Sequence, residues 1–299
     1  MKRLPVLAIV AAVAGCATTA PAPKPQTSAA ILAATTASDW RAPDPENTLY
    51  LELASGRVVV ELAPSFAPNH VANIKTMVRE KYFDGLAIVR AQDNYVVQWG
   101  DPAEDEAKKK SLGSAMATLP GEFARADDLP FVALPDHDVY APATGFSEGF
   151  PAARDASAGK MWLTHCYGMV GAGRDNAPDS GGGKELYVVI GHAPRHLDRN
   201  VTLVGRVIKG IELLSTLPRG TGALGFYEKP AQYVPIKAIR IAADVPESER
   251  TSIELLRTDT PAFAAYVESR RNRREEWFID PVGHVEVCNV PLPARTPPN

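Results

Sequence analysis

The sequence lacks an excess of positive charge. Its 299 residues include 32 lysines and arginines against 35 aspartates and glutamates, a formal net charge of −3 at pH 7. Nucleic acids attract basic surfaces, so we expect no nucleic-acid partner. The one dense cationic run, from Arg270 to Arg274, is followed at once by Glu275 and Glu276. That pattern is typical of a solvated helix face.

The apolar stretch near the N-terminus is too short to span a bilayer. It runs from Leu4 to Val13 behind Lys2 and Arg3, whereas a spanning helix needs about 20 apolar residues. A positive segment followed by a short apolar one is typical of a signal peptide. No second membrane span, internal repeat or coiled coil is evident.

The residues after this stretch resemble the bacterial lipobox. Val13, Ala14 and Gly15 precede Cys16, and in lipoproteins the signal is cut before such a cysteine, which then carries the lipid. We therefore predict a lipoprotein signal peptide over residues 1–16, lipidation of Cys16 and a lipid-anchored protein on the periplasmic side of the cell envelope. Ala17 stands where an inner-membrane retention signal often has Asp, which favours the outer membrane. The alternative is an ordinary secretory signal with a chance cysteine.

Cysteine is scarce. Apart from Cys16 the chain has only Cys166 and Cys288. An even pair in an oxidising compartment is compatible with a disulfide. Two buried free thiols fit the sequence equally well, because spacing alone does not place two Cα atoms within bridging distance.

Composition divides the chain into segments. Residues 17–39 are mostly Ala, Thr and Pro without an amphipathic period, which predicts a disordered tether. We expect a folded domain over residues 40–244, with an insertion at about 102–160 where no periodicity is visible. Residues 245–299 differ in character and contain a helix candidate, Pro261 to Glu276. They predict a helical C-terminal appendage.

Periodicity within the folded domain indicates many strands and few helices. Apolar residues at helical spacing predict a helix from Pro68 to Arg79, and Ile211 to Leu217 reads as a short helix. Strand character appears at Leu49–Leu53, Arg57–Leu62, Met169–Gly173, Glu185–Ile190, Thr202–Ile208 and Ile236–Ile241. This order favours a mainly β fold, an antiparallel barrel capped by helices.

The segment from Ile88 to Asp101 is the most informative part of the chain. One strand could carry Arg90 and the next Gln98, joined by a turn at Ala91 to Asn94. A fixed cation, an amide and an apolar wall would then share a sheet surface, which suits a ligand with a carbonyl and an apolar ring. Taken alone, the segment is better explained as a surface hairpin bearing an incidental arginine.

This segment resembles the signature of cyclophilin-type peptidyl-prolyl cis-trans isomerases, Phe-His-Arg-Ile-Ile-x-x-Phe-Met-x-Gln-Gly-Gly-Asp. Two further blocks, within Met169–Val189 and His196–Val207, resemble the family's later motifs in the same order. The resemblance covers roughly residues 47 to 243. It implies a cyclophilin-like closed antiparallel β-barrel and isomerisation of X-Pro bonds in proline-containing polypeptides.

The resemblance also implies roles for individual residues. Arg90 and Gln98 would be catalytic, the guanidinium facing the proline nitrogen and the amide holding a substrate carbonyl. The other substrate-binding positions would be Tyr95, Val96, Gly173, Arg174, Glu185, Tyr187, His196 and Leu197. Such a reaction requires no nucleophile, metal or cofactor, and we expect none. We expect a monomer.

Several pocket positions depart from the family pattern. Val96 replaces Met, His196 replaces Trp and Val201 replaces His, while Arg174 and Glu185 stand where the pattern has Asn and Gln. Two opposite charges arriving together favour an Arg174–Glu185 ion pair, and the alternative is that Glu185 pairs with Arg90. These changes leave a second function open, a catalytically weak module that binds proline-containing segments or envelope partners.

Overall fold

The computed structural model describes residues 26–103 and 105–298. Its α-helices are α1 (Ser28–Ala33), α2 (Pro68–Arg79), α3 (Glu212–Ser215) and α4 (Pro261–Arg271). Its strands are β1 (Trp40–Arg41), β2 (Thr48–Leu53), β3 (Gly56–Leu62), β4 (Ala87–Ala91), β5 (Val96–Gly100), β6 (Arg125–Ala126), β7 (Val132–Ala133), β8 (Ala143–Ser147), β9 (Phe150–Asp155), β10 (Lys160–Leu163), β11 (Met169–Ala172), β12 (Leu186–Val189), β13 (Leu203–Lys209), β14 (Val234–Pro235), β15 (Ala238–Ile241), β16 (Glu254–Leu256) and β17 (Ala294–Arg295). Within these described ranges, no helix is both long and apolar enough to cross a membrane.

Nine antiparallel strands form the main sheet, in the order β14-β4-β5-β12-β11-β13-β3-β2-β15. The sheet curls, and its two edge strands are consecutive in sequence, with Ile236 between them bonded to Gly85 and Leu86. Alternate residues of each strand point inward, so the inner face forms one apolar core that includes Ile88, Trp99 and Val188. The predicted mainly β fold with antiparallel barrel strands is confirmed.

Helix α2 packs its apolar face against the core of the main sheet. It begins at Pro68, whose missing N–H costs nothing in the first helical turn. Its apolar positions Val71, Ile74 and Met77 recur at helical spacing and are almost completely buried in the core of the sheet. The bounds agree with the helix that the periodicity predicts.

The insertion is more regular than its sequence indicates. Strands β6 to β10 form a second antiparallel sheet, ordered β6-β10-β9-β8-β7, which extends past residue 160 to Leu163. Its strands have two to six residues, and most residues of β8 and β9 are buried. Alternation disappears when both faces of a strand are covered, so periodicity did not reveal this sheet.

The C-terminal appendage packs against this second sheet. Phe263 of α4 meets Phe146 of β8 edge to face, with ring centroids 5.0 Å apart. A disulfide joins Cys166 to Cys288 across 122 residues, with Cα atoms 4.9 Å apart.

The appendage is only partly helical, because β16 pairs with both β1 and β17. Helix α4 ends at Arg271 rather than Glu276, where the Arg271 guanidinium turns to Asp136 of the insertion.

The N-terminal tether differs from the prediction over its second half. Thr27 caps α1 by accepting a hydrogen bond from the Ala30 N–H. Ile31 is buried in the apolar cluster that also contains Phe146 and Phe263. The Ser28 and Ser269 hydroxyls lie 2.8 Å apart, so α1 is seated on α4. Residues 28–39 are therefore structured. The signal peptide, Cys16 and tether residues 17–25 lie outside the described residues.

Candidate active site

The β4–β5 hairpin brings Arg90 and Gln98 together. The two residues are direct cross-strand partners, and Nη1 of Arg90 donates to Oε1 of Gln98 at 3.0 Å. The turn spans residues 92–95, where Asn94 adopts a positive φ of 50°, a conformation that Asn tolerates better than most residues. The eight-residue spacing therefore produces the predicted pairing of cation and amide.

Three acceptors orient the Arg90 guanidinium. Besides Gln98, it donates through Nε to the Leu224 carbonyl at 2.7 Å and through Nη2 to the Gln92 side-chain oxygen. The rings of Tyr95 and Phe226 lie 5.6 and 5.2 Å from its central carbon. Burial lowers the pKa of Arg90 from its ordinary value, but a guanidinium keeps its charge at any physiological pH. The site thus holds a permanent cation in a fixed plane.

Gln98 connects Arg90 to Glu185. Its Nε2 donates to Oε2 of Glu185 at 2.9 Å. A guanidinium only donates and an ionised carboxylate only accepts, so the amide oxygen must face Arg90 and the amide nitrogen Glu185. The three side chains form one directed row, Arg90 to Gln98 to Glu185.

This row contradicts both ion pairs considered for Glu185. Among the described contacts its carboxylate accepts from Gln98 and pairs with neither Arg174 nor Arg90. Arg174 donates instead to three backbone carbonyls, those of Asn200 at 2.8 Å, Asp175 at 2.7 Å and Asn176 at 3.2 Å. The favoured Arg174–Glu185 pair and the alternative Glu185–Arg90 pair are therefore both wrong.

A surface cleft of about 760 Å³ opens beside Arg90. Nine of the ten predicted catalytic and binding residues line it: Arg90, Tyr95, Val96, Gln98, Gly173, Arg174, Glu185, Tyr187 and Leu197. His196 is not among the lining residues, and it lies exposed in the short helical turn at Arg195–Leu197. Its neighbour Arg195 points inward and is buried.

Tyr187 forms a wall of the cleft. It is the cross-strand partner of Gln98 on the neighbouring strand β12, and it packs with Val96 and Val189. Its ring occupies the space above Gly171, where an added Cβ would meet ring atoms at 2.3 Å. Any side chain at position 171 would thus displace this wall.

Sequence reasoning missed Leu224 and Phe226, which also line the cleft. The loop that carries them continues the sheet along β4, because Gly220 N–H donates to Ala91 and Tyr227 N–H to Val89. Leu224 has a positive φ of 55°, which is uncommon for a leucine. The glycines at 220, 222 and 225 signal turns, but nothing local shows that the loop reaches Arg90, which is 134 residues away in sequence.

Comparison with known proteins identifies the class. Residues 48–241 match the family model "Cyclophilin type peptidyl-prolyl cis-trans isomerase/CLD". This match spans well over half of the chain, and the chain belongs to the family of cyclophilin-type peptidyl-prolyl cis-trans isomerases.

Individual relatives agree with this assignment. A probable peptidyl-prolyl cis-trans isomerase of Brucella suis biovar 1 is 30% identical over 189 residues, which are 61% of this chain and 76% of that protein. A peptidyl-prolyl cis-trans isomerase-like 1 protein of Gibberella zeae is 24% identical over 66% of this chain and 95% of its own length.

A solved structure covers more of the chain than the family model. The cyclophilin AquaCyp293 from Hirschia baltica superposes with a TM-score of 0.71 at 26% identity, covering 90% of this chain and 97% of that one. The similarity therefore extends beyond residues 48–241.

Proposed function

We propose that this protein accelerates X-Pro isomerisation in polypeptides by binding the twisted amide beside Arg90. The barrier to rotation is about 18–20 kcal/mol because amide resonance resists twisting. A catalyst must bind the twisted state more tightly than either planar isomer. In that state the proline nitrogen regains a lone pair, which a fixed N–H donor stabilises.

The orientation of Arg90 is the observation that carries this proposal. A guanidinium has five N–H groups, and three of them are directed to Gln98, Leu224 and Gln92. In the contacts described, one N–H on each terminal nitrogen is left for a substrate. Since the donors are oriented before substrate arrives, little reorganisation is required at the transition state.

Gln98 would hold a substrate carbonyl with its second amide hydrogen. The first is directed to Glu185, which fixes the plane of the amide. Tyr95, Val96, Tyr187 and Leu197 would surround the proline ring. Glu185 thus acts as a positioning residue for Gln98.

Turnover distinguishes this proposal from a binding module. A protease-coupled isomerisation assay on a proline tetrapeptide should show a catalysed rate proportional to protein concentration. A protein that binds the peptide without accelerating isomerisation would support the alternative, a catalytically weak module for proline-containing segments. The fully assembled Arg90–Gln98 pair favours the enzyme.

We also propose that the protein is lipid-anchored at Cys16 on the periplasmic side of the cell envelope, at the outer membrane. The N-terminal pattern supports this location, and so does the Cys166–Cys288 disulfide, since disulfides persist mainly in oxidising compartments. Cys16→Ser should abolish acylation and leave an unprocessed precursor. Wild-type protein recovered unacylated from the soluble periplasm would contradict the proposal.

A further inference from the structure

A row of buried polar side chains lies behind the wall of the cleft. The Tyr187 hydroxyl is 3.0 Å from Nε2 of His165. On the other side of the imidazole, Nδ1 is 3.0 Å from Oδ1 of Asp198. The same carboxylate oxygen accepts the His165 backbone N–H at 2.9 Å. His165 is completely buried and Asp198 is 8% exposed.

The row continues into the insertion. Nε of Arg195 donates to Oδ2 of Asp198 at 2.6 Å. Its two terminal nitrogens bind both carboxylate oxygens of Asp138, at 3.0 and 3.1 Å. Arg195 and Asp138 are buried as well, so both carboxylates and the guanidinium are compensated. Asp138 lies between β7 and β8 and closes the row.

The direction of the hydrogen bonds follows from these partners. Asp198 accepts the backbone N–H of His165, and the same carboxylate oxygen is the acceptor for Nδ1–H of the ring. Nε2 is then the ring nitrogen that faces the Tyr187 hydroxyl. Burial chiefly, and the nearby Tyr95 and Asp198, raise the pKa of Tyr187, so its hydroxyl stays a donor.

The wall of the cleft could be formed without burying these polar side chains. A phenylalanine would fill the same space without burying a hydroxyl. Unsatisfied, the buried polar groups would each be costly. What the hydroxyl adds is a fixed point at the end of the Tyr187 ring, which otherwise turns about two torsions above Gly171.

We propose that His165 is a positioning residue for the proline pocket, acting through the hydroxyl of Tyr187 and itself oriented by Asp198, Arg195 and Asp138. The inference rests on the proposed function, since it takes the cleft beside Arg90 as the proline site. The wall contacts the proline ring in planar and twisted states alike, so the row contributes uniform binding. It sets KM, whereas Arg90 sets kcat.

Two substitutions at His165 separate positioning from folding. The amide of His165→Asn reproduces Nδ1 and keeps the bond to Asp198 but does not reach Tyr187. The amide of His165→Gln reproduces Nε2 and reaches the hydroxyl. We expect His165→Asn to raise KM roughly two- to tenfold, the value of one hydrogen bond, with kcat retained. His165→Gln should return KM toward the wild-type value.

The two His165 substitutions, each combined with Tyr187→Phe, complete the test. Without the hydroxyl, His165→Asn and His165→Gln should have equal KM, because their difference is transmitted through that atom. A difference that persists in this background would overturn the proposal, as would a wild-type KM in folded His165→Asn. If the His165 variants do not fold, Tyr187→Phe alone must raise KM, and an unchanged value overturns the inference.

Affinity for a proline-containing tetrapeptide, measured by calorimetry on the same variants, tests the inference without turnover. Kd should follow the pattern expected for KM. An inactive wild type whose Kd follows this pattern would refute the proposed catalysis and leave the positioning role in place. An active wild type whose KM and Kd ignore His165 and Tyr187 would refute only the positioning role.

Discussion

The Nε2 atom of Gln98 lies 2.9 Å from Oε2 of Glu185. This contact fixes which way the amide of Gln98 points, because only one end of an amide can donate to a carboxylate. The opposite end then accepts from Arg90 at 3.0 Å. Glu185, which contacts Gln98 rather than Arg90 in the hydrogen bonds described, thus helps to set the direction of the row.

Removal of this carboxylate should impair catalysis. In Glu185→Ala the Nε2–H of Gln98 loses its acceptor, so Arg90 alone is left to hold the plane of the amide. We expect kcat/KM to fall roughly tenfold, equivalent to about one hydrogen bond to a charged group. Glu185→Gln should keep most of the activity, since its side-chain oxygen still accepts. Equal losses in the two variants would mean that the charge, and not the orientation of Gln98, matters.

Arg174 and Glu185 should act independently. The Arg174 guanidinium is directed to backbone carbonyls, and no carboxylate in the described structure pairs with it. The effects of Arg174→Asn and Glu185→Gln on kcat/KM should therefore add to within about 0.5 kcal/mol. A coupling free energy above about 1 kcal/mol in the double variant would restore the ion pair that the structure contradicts.

The loop at Leu224 should depend on Gly225. Gly225 has a φ of 79°, and a Cβ there would lie 2.6 Å from the Gln92 Cα. Gly225→Ala should therefore shift the Leu224 carbonyl away from Arg90 and lower kcat several-fold, in addition to a strain of about 1 kcal/mol.

Gly159→Ala provides the matched control for this loop. Gly159 has a similar φ of 61°, but its added Cβ would meet nothing within 4 Å, and it lies in the insertion turn before β10. Its substitution should cost only the backbone strain of about 1 kcal/mol and leave kcat unchanged. Melting temperatures should be recorded for both variants. Equal kcat in Gly225→Ala and Gly159→Ala would show that the Leu224 carbonyl does not support catalysis by orienting Arg90.

The disulfide should contribute strongly to stability. It closes a loop of 122 residues, for which chain entropy gives about 4–5 kcal/mol at most. Cys288→Ser should lower the urea midpoint, and a digest without reduction should contain a peptide pair linked through Cys166 and Cys288. Recovery of both cysteines in alkylated form without prior reduction would contradict the bond.

The sequence predicted those features that depend on residues close to one another in the chain. Arg90 and Gln98 are eight residues apart on one hairpin, and α2 follows from the spacing of its apolar residues. Leu224 and Glu185 reach the site only through strand order, which neither spacing nor charge reveals. The opposite charges of Arg174 and Glu185 suggested an ion pair between them. In the structure, the register of β12 beside β5 brings Glu185 to Gln98 instead.

Tertiary contacts explain the remaining differences. Helix α1 has six residues, too few for independent stability, and it forms because Ile31 and Ser28 pack onto the appendage. Strands β6 and β7 have only two residues each, and β8 to β10 are largely buried, so all five lack the alternation on which a strand prediction depends.

The central claim is that the oriented guanidinium of Arg90 stabilises the twisted amide. Its most direct test is kcat/KM of Arg90→Ala in the isomerisation assay, with Arg57→Ala as control. Arg57 is a half-buried β3 residue paired with Glu52 outside the cleft. The account predicts a loss on the order of 100-fold or more for Arg90→Ala, a near wild-type rate for Arg57→Ala, and little change in the melting temperature of either. A folded Arg90→Ala variant that isomerises proline peptides at the wild-type rate would contradict it.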